Sequence, residues 1–74
     1  MVALEMVETV GSIIKRYRLA KGLTQEEVAD RGGLERSYVN QLENDRVANP
    51  GRAVLAKLAR GLGERPDIFF EGLH

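Results

Sequence analysis

No cysteine occurs in the 74 residues of this chain, which excludes a disulfide framework and a thiolate metal site. The single histidine, His74, is the final residue, so no cluster of imidazoles is available to bind a metal or to serve a nucleophile. Neither an enzyme nor a metal site is expected, and no cofactor. Long apolar runs are missing as well. None approaches the roughly 18 residues of a membrane span, and Met1 to Val10 carries Glu5 and Glu8 without a basic residue, unlike a signal peptide. A soluble, cytoplasmic protein is expected, with no membrane partner. An excess of charge is the last absence: eleven basic residues balance eleven acidic ones. A zero sum argues against a nucleic-acid binder, whose usual sign is a basic footprint. Distribution matters more than the sum. Lys15, Arg16, Arg18 and Lys21 cluster near the start, Arg31, Arg36, Arg46 and Arg52 punctuate the centre, and acidic residues dominate the extreme N-terminus and the tail after Gly63.

What is present is helical periodicity from end to end. Val10, Ile13, Ile14 and Tyr17 recur at three- and four-residue spacing, predicting an amphipathic helix from about Val7 to Lys21 that Gly22 ends. Thr24 with Glu27 three positions on has capping-box spacing, so a second helix starts there. Val28 and Ala29 form its inward face, and Gly32-Gly33 stop it, one of them in the left-handed conformation. A third helix follows from about Glu35 to Glu43, burying Val39 and Leu42. Asn44 to Pro50 is a loop. A fourth helix runs from about Gly51 to Leu62, with Val54, Leu55, Leu58, Ala59 and Leu62 as its apolar stripe and Gly63 as its stop. Pro66 suits the first position of a last short helix to Glu71 carrying Ile68, Phe69 and Phe70. No strand alternation, repeat or low-complexity segment is visible. The expectation is one all-α domain over residues 1–74, with its core in 7–71, built as a compact five-helix bundle. So small a domain buries only about 60% of its unfolded surface, so tight packing or oligomerisation must stabilise it.

Several segments in order resemble the Cro/C1-type (XRE-like) helix-turn-helix family of phage repressors, restriction–modification controller proteins and small bacterial regulators. They are Ile14 to Arg18, Gly22-Leu23-Thr24-Gln25-Glu26-Glu27-Val28-Ala29, Gly33-Leu34, Ser37-Tyr38-Val39, Gln41-Leu42-Glu43-Asn44, Leu58-Ala59-Arg60 and Leu62-Gly63. The likeness covers about Val10 to Phe70, and short length with the Phe69-Phe70-Glu71 ending is similar to controller proteins. It implies a lambda-repressor-like bundle whose helices 2 and 3 bind double-stranded DNA. Matched position by position, Arg36, Ser37 and Gln41 fall where the family reads bases, with Asn40 beside them. Arg36 could donate twice to guanine and Gln41 could bracket adenine. Thr24 and Gln25 lie at the helix end that favours a phosphate, and Asn44, Arg46 and Arg52 match backbone-contact positions. Tyr38 is open to two roles, core residue and phosphate donor. Arg18 and Glu43 match a structural ion pair.

The sequence departs from the family at Glu35, where a small polar cap is usual, and at Asp45, which replaces a glycine. Asp tolerates left-handed geometry better than most residues. The implied function is a transcriptional regulator, repressor or controller, bound to a palindromic operator as a homodimer. Its recognition helices would lie about 34 Å apart. Phe70, Ile68 and Leu73 are the expected dimer-interface residues. The alternative is an antitoxin-like module of the same fold whose partner is a protein such as a toxin.

Overall fold

The computed structural model describes residues 8–70. In order these form helix α1 (Val10–Ala20), α2 (Gln25–Gly32), α3 (Arg36–Glu43), α4 (Arg52–Leu62) and a 3-10 helix (Pro66–Phe70). Four α-helices and one 3-10 turn therefore replace the expected five-helix bundle. The last element is five residues long and opens with a proline that has no N–H to donate. Too short for a stable α-turn ladder, it closes with an i→i+3 type bond, Ile68 N–H to the Arg65 carbonyl at 3.2 Å.

The first helix also starts later than expected. Thr9 caps it, its Oγ1 accepting from the Ser12 N–H at 3.0 Å while Ser12 Oγ accepts from the Thr9 N–H at 2.9 Å. This is a capping box with Ser in the place of Glu, so Glu8 and Thr9 precede the helix. Val7 lies outside the described residues, as do Glu71 and the proposed interface residue Leu73.

The core gathers Ile13 and Ile14 from α1, Val28 and Ala29 from α2, and Val39 and Leu42 from α3. Leu55, Leu58, Ala59 and Leu62 of α4 complete it together with Ile68 and Phe69. Ile68, expected at the dimer interface, is 4% exposed and packs within the core of its own chain. Two buried glycines let α2 and α4 approach closely. A Cβ on Gly61 would collide with the Val28 carbonyl, and one on Gly32 with the Lys57 carbonyl. This contact fixes α2 from behind and leaves its N-terminus free to face outward.

The turn between α2 and α3 depends on Gly33, at φ 71°. Its left-handed conformation allows the Leu34 N–H to reach back to the Ala29 carbonyl at 2.8 Å, which satisfies an end group of α2 and reverses the chain. Leu34 then packs against the core and anchors the start of α3.

Candidate nucleic-acid interface

The first turn of α2 is built by its cap. Thr24 Oγ1 accepts from the Glu27 N–H at 3.0 Å, and Glu27 Oε1 accepts from the Thr24 N–H at 2.8 Å. That second bond, with help from the Thr24 hydroxyl and Arg31, holds the Glu27 carboxyl below its ordinary pKa. The N–H groups of Gln25 and Glu26 have no intrahelical carbonyl to bond, by helix geometry. They open, with the positive end of the helix dipole, onto a shallow depression lined by Arg18, Leu23, Thr24, Gln25, Glu26 and Arg36. Arg36 begins α3, so the depression brings the predicted phosphate-binding Thr24 and Gln25 beside a predicted base reader.

Helix α3 is two-sided. Val39, Leu42 and Glu43 are buried, while Arg36, Ser37, Asn40 and Gln41 are exposed. Tyr38 is half-buried against the core. Glu35 stands at the cap position in extended conformation and makes no side-chain cap bond, as expected of a side chain too long to turn back on its own helix. Past the helix, Asn44 Nδ2 donates to the Asn40 carbonyl at 2.8 Å. Asn44, Arg46 and Arg52 are exposed.

Asp45 sits at φ 57°, the single non-glycine residue with positive φ among the described residues. It performs the glycine's task, since the turn it makes lets the Arg46 N–H bond the Gln41 carbonyl at 2.9 Å. Its carboxylate has a further role that the sequence did not reveal. An ideal Cβ on Gly11 would lie 2.6 Å from Asp45 Oδ1, so this acidic group lies against the first turn of α1. That turn holds no acid of its own, and a negative charge there is favourable.

Behind the exposed face lies a polar cluster. Arg18 Nε donates to Glu43 Oε2 at 2.6 Å and its Nη2 to Glu43 Oε1 at 3.0 Å, while Nη1 bonds the Leu23 carbonyl at 2.9 Å. The bonds to Glu43 hold the guanidinium above the ordinary arginine pKa. Gln25 Nε2 adds a donor to Glu43 Oε1 at 3.1 Å, and Asn40 Nδ2 donates to Gln25 Oε1 at 3.2 Å. One cluster therefore ties α1, α2 and α3 together. Sequence reasoning assigned Gln25 and Asn40 separately; their contact is between residues 15 positions apart and has no local signal.

Among the described residues Arg16 pairs with Glu8, Lys21 with Glu64 and Arg65 with Asp67. Arg36, Arg46 and Arg52, on α3 and between it and the start of α4, enter no ion pair there, and neither do Lys15 on α1, Arg31 on α2 and Lys57 and Arg60 on α4.

Comparison with known proteins matches the helix-turn-helix family model over residues 14–69, most of the chain. The chain belongs to the helix-turn-helix family. This helix-turn-helix protein is 45% identical over 60 residues to an uncharacterized HTH-type transcriptional regulator, y4dJ, of Sinorhizobium fredii, covering 81% of this chain and 77% of that protein. Among solved structures it is similar to the restriction-modification controller protein C.AhdI from Aeromonas hydrophila. That likeness has TM-score 0.76 and 38% identity, over 82% of this chain and 91% of the other. It is also similar to SinR, the master regulator for biofilm formation, solved in complex with DNA, with TM-score 0.77 and 28% identity over 85% and 100% of the two chains. No helix of the described residues is long and apolar enough to cross a membrane.

Proposed function

We propose that this DNA-binding transcriptional regulator acts in the cytoplasm as a homodimer on a roughly palindromic operator. The observation that carries the reading is the two-sidedness of α3. Its inner side is held by Val39, Leu42 and the Arg18–Glu43 pair, which leaves Arg36, Ser37 and Gln41 exposed on a rigid helix. Arg36 reads guanine through O6 and N7, Gln41 reads adenine through N6 and N7, and Ser37 lies between them. Gln25 and Thr24 at the α2 N-terminus grip a phosphate, with Tyr38, Asn44, Arg46 and Arg52 as further backbone contacts.

Dimerisation is supported by Phe70, 48% exposed at the rim of an apolar groove whose other walls include Ala53, Leu55, Ala56 and Pro66. A second copy covering Phe70 would remove this surface from water.

Selection of bound duplexes from a random pool, followed by mobility shift at rising salt, tests the reading. Enrichment of a palindrome and a steep loss of affinity with salt are expected. Arg36→Ala should then cost about 1–3 kcal/mol on the selected site and relax preference at one base pair. Equal weakening on selected and random duplexes would remove Arg36 from base reading. No retention on any DNA at low salt would overturn the proposal in favour of a protein-binding role such as that of an antitoxin. Phe70→Ser should shift sedimentation toward monomer.

A further inference from the structure

The hydrogen bonds around Glu43 have a direction, and that direction reaches the DNA-facing surface. Paired with Arg18 through both oxygens, Glu43 is an ionised carboxylate that can only accept. Gln25 must therefore turn its NH2 group toward Glu43, at 3.1 Å, which points its carbonyl oxygen the other way. Asn40 Nδ2 meets that oxygen at 3.2 Å. The Asn40 Oδ1 is left to face Asn44 Nδ2, 3.4 Å away. Every amide in the row is oriented by the one before it, so the assignment of each O and N follows from the charge on Glu43 rather than from shape.

Two consequences follow for recognition. Gln25 retains one uncommitted Nε2 hydrogen, the donor a phosphate needs. Asn40 likewise has one Nδ2 hydrogen committed, to Gln25, and its Oδ1 faces Asn44 at 3.4 Å. The two amides differ in where the chain of bonds leads: Asn40 donates to Gln25, and Gln25 donates to the buried Glu43. We infer that Asn40 is a positioning residue that fixes the amide of Gln25 for phosphate binding and so acts on affinity for every sequence alike. The inference rests on the DNA-binding reading above and refines one residue of it.

A double-mutant cycle with Asn40→Ala and Gln25→Ala tests it, with affinity measured on the selected operator and on random duplex. Asn40 is exposed on a helix, and Ala is a good helix former, so the variant should fold. Asn40→Ala should weaken both duplexes by the same factor, about two- to tenfold, the worth of one hydrogen bond. In the Gln25→Ala background it should add nothing. In the DNA-free protein the side-chain amide resonance of Gln25 should shift in Asn40→Ala. A changed preference at one base pair, or effects of the two substitutions that multiply, would overturn the inference while leaving DNA binding intact. An unmoved Gln25 amide resonance would overturn it without reference to DNA. Failure of the wild-type protein to bind either duplex would instead overturn the function itself.

Discussion

Two arginine–glutamate pairs start from the same helix, two residues apart, and differ in almost everything except geometry. Arg16 meets Glu8 through Nε at 3.0 Å and Nη2 at 2.8 Å; Arg18 meets Glu43 through the same two nitrogens at 2.6 and 3.0 Å. The side chains of the first pair are 51% and 44% exposed, those of the second 12% and 3%. Water screens the outer pair and competes for its hydrogen bonds, so such pairs contribute about 0–1 kcal/mol. The inner pair carries a desolvation penalty, offset only because its remaining sites are occupied by the Leu23 carbonyl and the Gln25 amide. No buried side-chain nitrogen or oxygen lacks a partner among the described residues. Distance alone is thus a poor guide to what an ion pair does. The outer pair decorates α1; the inner one joins three helices and orients the surface proposed to meet DNA.

The sharpest way to break the comparison is Glu43→Ala. It leaves Arg18 buried without its counter-ion and Gln25 without its acceptor, and should cost about 3–5 kcal/mol. Against the 5–15 kcal/mol typical of a whole domain, that is enough to unfold much of a protein this small, and urea denaturation followed by circular dichroism would measure it. Replacing both partners, Arg18→Leu with Glu43→Leu, should recover most of the loss, since no charge is then left uncompensated. It should not recover DNA affinity, because Gln25 would have lost its orientation. Equal stability for the single and double replacements would sink the account of the inner pair.

An intermediate effect is expected from Thr24→Ala, which removes an exposed interaction of a different kind. Its hydroxyl satisfies a backbone N–H that has no other partner within the helix, so exposure does not reduce it to the level of the outer ion pair. About 1 kcal/mol of stability should be lost, read as a lower urea midpoint with unchanged slope. A loss no larger than that of the outer pair would blur the distinction.

Much of this architecture is written locally. Thr24 and Glu27, Gly32-Gly33 and Gly63 act within one turn of chain, and the elements they bound stand where the spacing predicts them. The elements that differ are those governed by distant or less familiar partners. Thr9 caps α1 through a serine, so the expected start at Val7 came too early. Pro66 opens a 3-10 turn instead of an α-helix, and Ile68 turns into the core because α4 and α1 cover it, which no pattern within Pro66–Phe70 reveals. At the candidate site, side chains on the outer face of α3 follow from helical period once Val39 and Leu42 are inward. The pairing of Arg18 with Glu43, 25 residues away, is implied by the family resemblance and not by spacing. Neither the Gln25–Asn40 contact nor the docking of Asp45 at the start of α1 has a sequence signal, because each forms only when separate helices meet.

The smallest expected effect belongs to the outer pair, and pH separates it from the inner one. The hydrogen bonds from Arg16 hold the Glu8 carboxyl below the ordinary carboxylate range in the folded protein. A depressed carboxylate contributes stability above its unfolded pKa and loses it as pH falls through the folded value. The contribution of Glu8 should therefore be present at neutral pH and disappear in acid. Arg18 has the opposite sign: its pKa is raised, so its own titration takes stability away only in strong alkali. Glu8→Gln should lower stability at pH 7 by no more than about 0.5 kcal/mol, after allowance for solvent screening. The difference from wild type should vanish below the carboxylate range and in 1 M salt, where the screening length is about 3 Å. Urea midpoints of the two proteins across pH and salt would measure this. A loss approaching that of Glu43→Ala, or one indifferent to salt, would mean that Glu8 anchors α1 by some means other than its exposed charge.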